Sequence, residues 1–339
     1  MRYPRLVGPG AHVRVISPSW PAMYHVPQRV RRAEKVMRRL GLRVSYGAHS
    51  SDITDDGLSA GSVQQRAADF MDAFTDPSVD VVFSAFGGAT AHELLSILDV
   101  ETLRTHDKPF IGNSDNIWLN HFLFQEVGLI SYYGITYVGE LGGPEGPYPE
   151  TLDHFRRALM SGDDLVCLPM ARRTNEFTNW FVPELERKCR RLNLDGGWVW
   201  LRPGQGSGPL LGAELSALIE MTEHFDLTLD GCVLFWDIGL HNTEKAHVLL
   251  RELAARTPLD RLSGMVVGPD ARYELESWAG VVEEALSSVV PNLQYPVVVN
   301  ADVGHLDPKW VVPYGHNVIV DSARGVIFPA ADRYSEPMR

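Results

Sequence analysis

The stretch Lys108-Pro-Phe-Ile-Gly-Asn-Ser-Asp-Asn116 runs from a short apolar strand into a helix and is the first place where this 339-residue chain could hold a nucleophile. A strand that ends in Gly-x-Ser and turns at once into a helix puts Ser114 on a sharp turn at the carboxyl edge of a sheet, beside unpaired helix N–H groups. Acyl transfer needs those two things, a presented hydroxyl and donors for the oxyanion that develops. The plainer alternative is that Ser114 or Asp115 merely caps the helix. Taken alone the motif favours capping, because the second Gly of an esterase-type elbow is absent and Asn116 stands in its place.

Other residues could complete such a site. Gly87-Gly88 also lies between a strand and a helix, so its amides fall on the same sheet edge as Ser114, although tight packing explains a lone Gly pair equally well. It is not a GxGxxG, which argues against a dinucleotide site. Among twelve histidines, His305 closes the run Val297-Val-Val-Asn-Ala-Asp-Val-Gly-His305, where a turn can hold an imidazole at a strand's end, and His316 in Pro313-Tyr-Gly-His is a second candidate. Asp237 after Val233 to Trp236, and Glu214 after Leu210-Leu-Gly-Ala, offer carboxylates for acid–base work. Each of these, taken singly, also reads as an ordinary structural residue.

The elements that must position them are alternating strands and helices. Apolar strands are expected at 12–16, 42–46, 79–84 and 109–112, with helical spacing over 27–40, 63–74, 89–97 and 116–128. That order implies an α/β fold, an open parallel sheet flanked by helices over residues 1–150. The Gly/Pro cluster Gly139 to Pro149 marks its exit. Residues 151–209 read as a connecting segment, beginning with a helix over 150–159 and carrying Trp180, Trp198 and Trp200 in loops that make a plausible aromatic lid. Residues 210–339 read as a smaller C-terminal α/β domain, with helices at 215–224, 243–256 and 274–289 and strands at 232–236, 264–267, 296–300 and 318–320.

Composition narrows the function. With 45% hydrophobic and 22% charged residues the chain is an ordinary globular protein, and a length near twice the roughly 150 residues of a domain suggests two cores. A net charge of −12 provides no basic surplus for nucleic acid or an anionic membrane. Cys167, Cys189 and Cys232 are few, distant and without metal spacing, as for free thiols in a reducing compartment. No long apolar run or basic leader stands at the N-terminus, so a cytoplasmic location is expected. No metal motif appears, and no cofactor is expected.

Taken together, several segments resemble the serine peptidase family that contains the LD-carboxypeptidases and the microcin C self-immunity peptidases. They are Val15-Ile-Ser-Pro-Ser19, Leu58-Ser-Ala-Gly61 with Arg66-Ala-Ala-Asp69, Phe86-Gly-Gly88, Leu94 to Asp99, Pro109 to Asp115, Gly128 to Tyr132, and Gly304-His305 followed by Pro313-Tyr-Gly315. The resemblance implies a Ser-His-Glu triad, with Ser114 as nucleophile, His305 as base and the N–H groups of Gly88 and Asp115 as oxyanion hole. It places Asp237 at the acid position if the alignment runs without gaps from Met265, or Trp236 there in the other phase. The first keeps a carboxylate to orient His305, one methylene shorter than the family's Glu.

The departures bear on substrate. Phe86 replaces the Arg that precedes the Gly pair in murein enzymes, Glu214 replaces an Asn, and Tyr133 replaces a His. The 175–208 stretch is similar to the aromatic insert of the microcin immunity group, with Trp180 as the ring expected to stack on a nucleobase or else to close a hydrophobic patch. The resemblance also implies a homodimer. The leading expectation is a hydrolase cleaving an amide or amide-like acyl bond of a peptide-like or aminoacyl-nucleotide compound. Two others stand beside it: an acyl transferase or cyclase using the same site in a dry pocket closed by Trp180 and Trp236, and a binding protein without turnover.

Overall fold

Parallel pairing of His12–Ile16 with both Arg43–Tyr46 and Val81–Ser84 begins the first sheet in the computed structural model, which describes residues 1–239 and 246–330. Phe110–Gly112 and Ser131–Tyr133 continue it in parallel, and Val312–Tyr314, arriving from far along the chain, adds an antiparallel edge strand. Val81–Ser84 and Phe110–Gly112 are buried throughout, as expected of parallel strands covered on both faces. The covering helices Pro27–Arg39 and Val63–Thr75 fall within a residue of their expected ends. The second is started by a capping box, in which Ser62 and Gln65 satisfy each other's amides.

The expected helix over 89–97 is instead a single 3-10 turn, Ala91–Leu94. Its preceding amides are taken elsewhere: Ala89 N and Thr90 N donate to Ser19 Oγ, and Ala91 N donates to Asp115 Oδ2. The helix after Ser114 is likewise irregular, with a 3-10 turn Ser114–Asn116, an α-helix Ile117–Phe122 and a π-turn Leu123–Val127.

A second sheet of eight strands, counted among the described residues, is built around four parallel strands, Gln205–Glu214, Val233–Asp237, Gly264–Val267 and Val297–Val299. Leu165–Cys167, Gly325–Phe328 and Asn317–Asp321 extend one side and Val199–Arg202 the other, all antiparallel to their neighbours. The two sheets with their helices make the α/β fold. Neither Val199–Arg202, whose Trp200 was expected in a loop, nor the ten-residue strand Gln205–Glu214, with three Gly and a Pro, was among the expected strands. Its glycines mark close approach: a Cβ on Gly208 would run into the carbonyl group of Gly231. The helices Leu215–His224 and Leu275–Val289 match expectation. The helix expected from residue 243 is seen as Ala246–Arg256, its first three positions lying outside the described residues. Among the described residues no helix is long and apolar enough to cross a membrane.

Candidate active site

The end of the strand Phe110–Gly112 delivers Ser114 in a left-handed backbone conformation, φ 58°. Such a conformation in a non-Gly residue costs on the order of 1 kcal/mol or more and persists only where its surroundings enforce it. Here the enforcement is visible. Asn116, at the position of the missing elbow Gly, donates through Nδ2 to Phe86 O at 3.0 Å and Asn113 O at 2.8 Å, tying the turn to the Gly87-Gly88 segment. A Cβ on Gly87 would lie 2.9 Å from Ser114 Cβ, so the two turns are in contact.

Asp237, the last residue of its strand, and His305, six residues beyond Val297–Val299, reach Ser114 from the second sheet. His305 Nδ1 is 2.6 Å from Asp237 Oδ2 and His305 Nε2 is 3.0 Å from Ser114 Oγ. With Asp237 ionised, the imidazole carries its proton on Nδ1 and turns the Nε2 lone pair toward the serine hydroxyl. Trp236, the other phase of the acid position, is fully buried with its ring against Trp278. Burial disfavours a charged His305, but the Asp237 carboxylate outweighs it through charge and hydrogen bond, and the net shift raises the imidazole pKa above its ordinary value. The Gly88 and Asp115 N–H groups, the expected oxyanion donors, have no acceptor among the described residues.

These groups open into a cavity of about 870 Å³. Phe86, Trp180 and Glu214, the residues expected to contact substrate, line it. Trp180 meets Phe86 edge-on at 5.0 Å, and the Arg29 guanidinium sits 4.1 Å from the Trp180 ring centre. Arg29 and Arg32 both pair with the buried Glu186, which fastens the aromatic segment to the helix Pro27–Arg39. Glu214 is oriented by accepting from Ala217 N at 3.2 Å and Ser216 Oγ at 3.0 Å.

Tyr133 departs from expectation. It was expected to touch substrate, but it is fully buried behind the turn and does not line the cavity; its hydroxyl accepts the Ser114 N–H at 3.3 Å. Burial, followed by the nearby Asp237 charge, pushes its pKa well up, so the hydroxyl stays protonated. His316 is also away from the site, buried with Nδ1 3.0 Å from the Tyr3 hydroxyl and its ring stacked on Phe328. None of the three cysteines lines the cavity; burial raises the Cys232 thiol to about 11.

Sequence reasoning passed over Trp20, which walls the cavity, and an ion cluster on its floor. Lys309 Nζ is 2.8 Å from Glu140 Oε1 and 3.5 Å from Asp307 Oδ1, while Arg190 holds Asp307 Oδ2 at 2.7 Å. Burial opposes the charge on Lys309, but Asp307 and Glu140 outweigh it and raise its pKa. Lys309→Met, which would leave two carboxylates without this cation, is expected to cost about 3–5 kcal/mol in urea unfolding. A loss under about 1 kcal/mol would show the cluster to be well solvated. The sequence shows Asp307 two residues before Lys309, but the stronger partner Glu140 lies 169 residues away in the chain.

Models for the LD-carboxypeptidase N-terminal and C-terminal domains match residues 13–134 and 207–320 in that order. A putative carboxypeptidase of Bacillus subtilis (YocD) is 25% identical over 93% of this chain and 95% of its own. The microcin C7 self-immunity protein MccF of Escherichia coli is 24% identical over 94% of each. Among solved structures, an MccF-like protein from Bacillus anthracis superposes with a TM-score of 0.84 at 25% identity, covering 96% of this chain and 98% of that one. MccF in complex with aspartyl sulfamoyl adenosine superposes with a TM-score of 0.85 at 21% identity, covering 99% and 100%. With both domain models matched in sequence order, and with relatives and structures that span nearly the whole length, this chain belongs to the LD-carboxypeptidase family.

Proposed function

We propose that the protein is a serine hydrolase that cleaves an amide, or an amide-like acyl bond, of a peptide-like or aminoacyl-nucleotide compound. The observation that carries the proposal is the continuous chain Asp237–His305–Ser114, at 2.6 Å and 3.0 Å, ending at the cavity beside two N–H groups that have no acceptor among the described residues. Ser114 Oγ attacks the acyl carbon while His305 Nε2 takes its proton, and the carbonyl π electrons move to an oxygen held by the Gly88 and Asp115 amides. The tetrahedral intermediate collapses, the C–N bond breaks and His305 returns the proton to the leaving nitrogen. Water, deprotonated by the same imidazole, then releases the acid and restores Ser114.

Substrate class is drawn from the family and from the cavity. Carboxypeptidase relatives point to peptide-like substrates, and the MccF complex contains an aminoacyl sulfamoyl nucleoside. Phe86, Trp180 and the oriented Glu214 are assigned to substrate contact. An acyl transferase would be favoured by a dry pocket closed by Trp180 and Trp236, but Trp236 is not in the cavity wall, so hydrolysis is preferred.

The test is intact-protein and substrate mass spectrometry with aminoacyl sulfamoyl nucleosides and LD-linked peptides, comparing wild type with Ser114→Ala. Release of free acyl acid by wild type alone is expected. Equal conversion by both proteins would remove Ser114 from the mechanism, and a lasting acyl adduct would turn the reading toward transfer. For a substrate that carries a nucleobase, Trp180→Ala is expected to raise KM by roughly 5- to 100-fold with kcat little changed, the range of one lost base–aromatic stack. An unchanged KM would restrict Trp180 to closing the hydrophobic wall.

A further inference from the structure

The two N–H groups assigned to the oxyanion belong to different crossovers of the first sheet, and Ser19, from the loop after His12–Ile16, stands between them. Ser19 is fully buried. Its Oγ accepts from Ala89 N and Thr90 N, each at 3.0 Å, and so holds the backbone immediately after Gly88. The same Oγ donates to Asp115 Oδ2 at 2.5 Å, and that carboxylate oxygen also accepts from Ala91 N at 2.9 Å. Because both amides have used the oxygen as acceptor, the single hydroxyl proton is directed to Asp115. Trp20 N completes the link by donating to Gly87 O at 3.1 Å. Gly88 has φ 152°, and a Cβ there would collide with Ser19 Oγ and lie 2.7 Å from Trp20 N, so the loop is packed directly on this hub.

The geometry points to Ser19 and the Asp115 side chain as a positioning pair that sets the spacing of the Gly88 and Asp115 amides for the transition-state oxygen. Asp115 thus has two roles: its N–H faces the reacting oxygen, and its carboxylate, turned away, grips the opposite wall of the same hole. Neither side chain touches the reacting atoms. Oxyanion donors act by being held before charge develops, so loosening their spacing slows bond formation while leaving ground-state binding and the histidine's protonation nearly unchanged.

The inference rests on the serine-hydrolase reading, and labelling by an alkyl fluorophosphonate separates the two. In that reaction Ser114 Oγ bonds to phosphorus and fluoride leaves, with the phosphoryl oxygen lying where the oxyanion would. Wild type is expected to gain one phosphonyl mass that Ser114→Ala does not gain; failure of wild type to label would take down the hydrolase reading and this inference with it. If wild type labels, Ser19→Ala is expected to react about 10- to 100-fold more slowly at saturating probe, with the probe's half-saturation concentration and the midpoint of the acid limb unmoved. Labelling within about twofold of wild type by folded Ser19→Ala, or a slower rate accompanied by a shifted acid limb, would overturn the pair while leaving the nucleophile in place. Asp115 supplies an independent measure should Ser19→Ala fail to fold. Asp115→Ala should show the same slowing, whereas Asp115→Asn, which keeps an acceptor for Ser19 Oγ and Ala91 N, should recover most of the rate, and equal rates for those two variants would overturn the proposal.

Discussion

Ser114→Ala is expected to lower kcat for amide cleavage by about 10⁴- to 10⁶-fold, and His305→Ala by a similar factor. The two groups act in one proton transfer across a 3.0 Å contact, so removing either removes the step. The double variant should therefore be scarcely slower than either single one, leaving the residual rate that cavity binding and oxyanion donors supply. Single-turnover rates on whichever substrate the mass-spectrometric panel reveals would measure this. Losses that multiply in the double variant would mean that serine and histidine act in separate steps. Folding should be little affected by Ser114→Ala, since among the described residues Ser114 Oγ bonds only to His305 and the change strands no buried charge.

The second large effect concerns Asp237. Asp237→Asn is expected to lower the plateau rate by about 10³- to 10⁴-fold, because an amide in this position favours the imidazole tautomer with its proton on Nε2, facing the serine. It should also move the pH profile. In wild type His305 must be neutral to accept the Ser114 proton, and its pKa is raised, so kcat/KM is low in acid and rises as pH passes a midpoint above the ordinary histidine value of about 6.5. Without the Asp237 charge, burial is the largest remaining influence and it lowers the pKa, so the acid limb of the variant should shift toward acid. Stability follows the opposite course. A raised folded-state pKa adds stability that is fully present below the unfolded value and is lost as pH rises through the folded value, so part of the Tm advantage of wild type over Asp237→Asn should disappear across that interval. An acid limb at the same pH in both proteins would show that a group other than His305 controls it.

Local pattern made much of the first sheet legible. Helices 27–39 and 63–75 follow from apolar spacing, a Pro at the first turn and a Ser-x-x-Gln capping box, all of which lie within a few residues of the elements they determine. The Ser114 turn was visible for the same reason, since strand, Gly, Ser and helix are contiguous. Where local propensity competes with distant partners the sequence misled. Residues 89–97 have helical spacing, yet form only the turn Ala91–Leu94, in a segment pinned to the distant Ser19 and Asp115. Residues 205–214 have the Gly and Pro of a loop, yet form a long strand because neighbouring backbone approaches too closely for side chains.

By itself the sequence determined which residue types were available for chemistry, the order of the strand–turn–helix units that present them, and, through the resemblance of its motifs, the family. Those properties are written in adjacent residues or in motif order, so no folding is needed to see them. Only the tertiary structure decided that Asp237 rather than Trp236 faces His305, and that Tyr133 sits behind the nucleophile instead of in the substrate cavity. It also decided that Lys309 pairs with the remote Glu140 as well as with its neighbour Asp307, and that Ser19 joins the two amide-bearing turns. Each of these depends on strand register or on contacts across about 20 to 170 residues of chain, where a one-residue slip reverses the face a side chain presents.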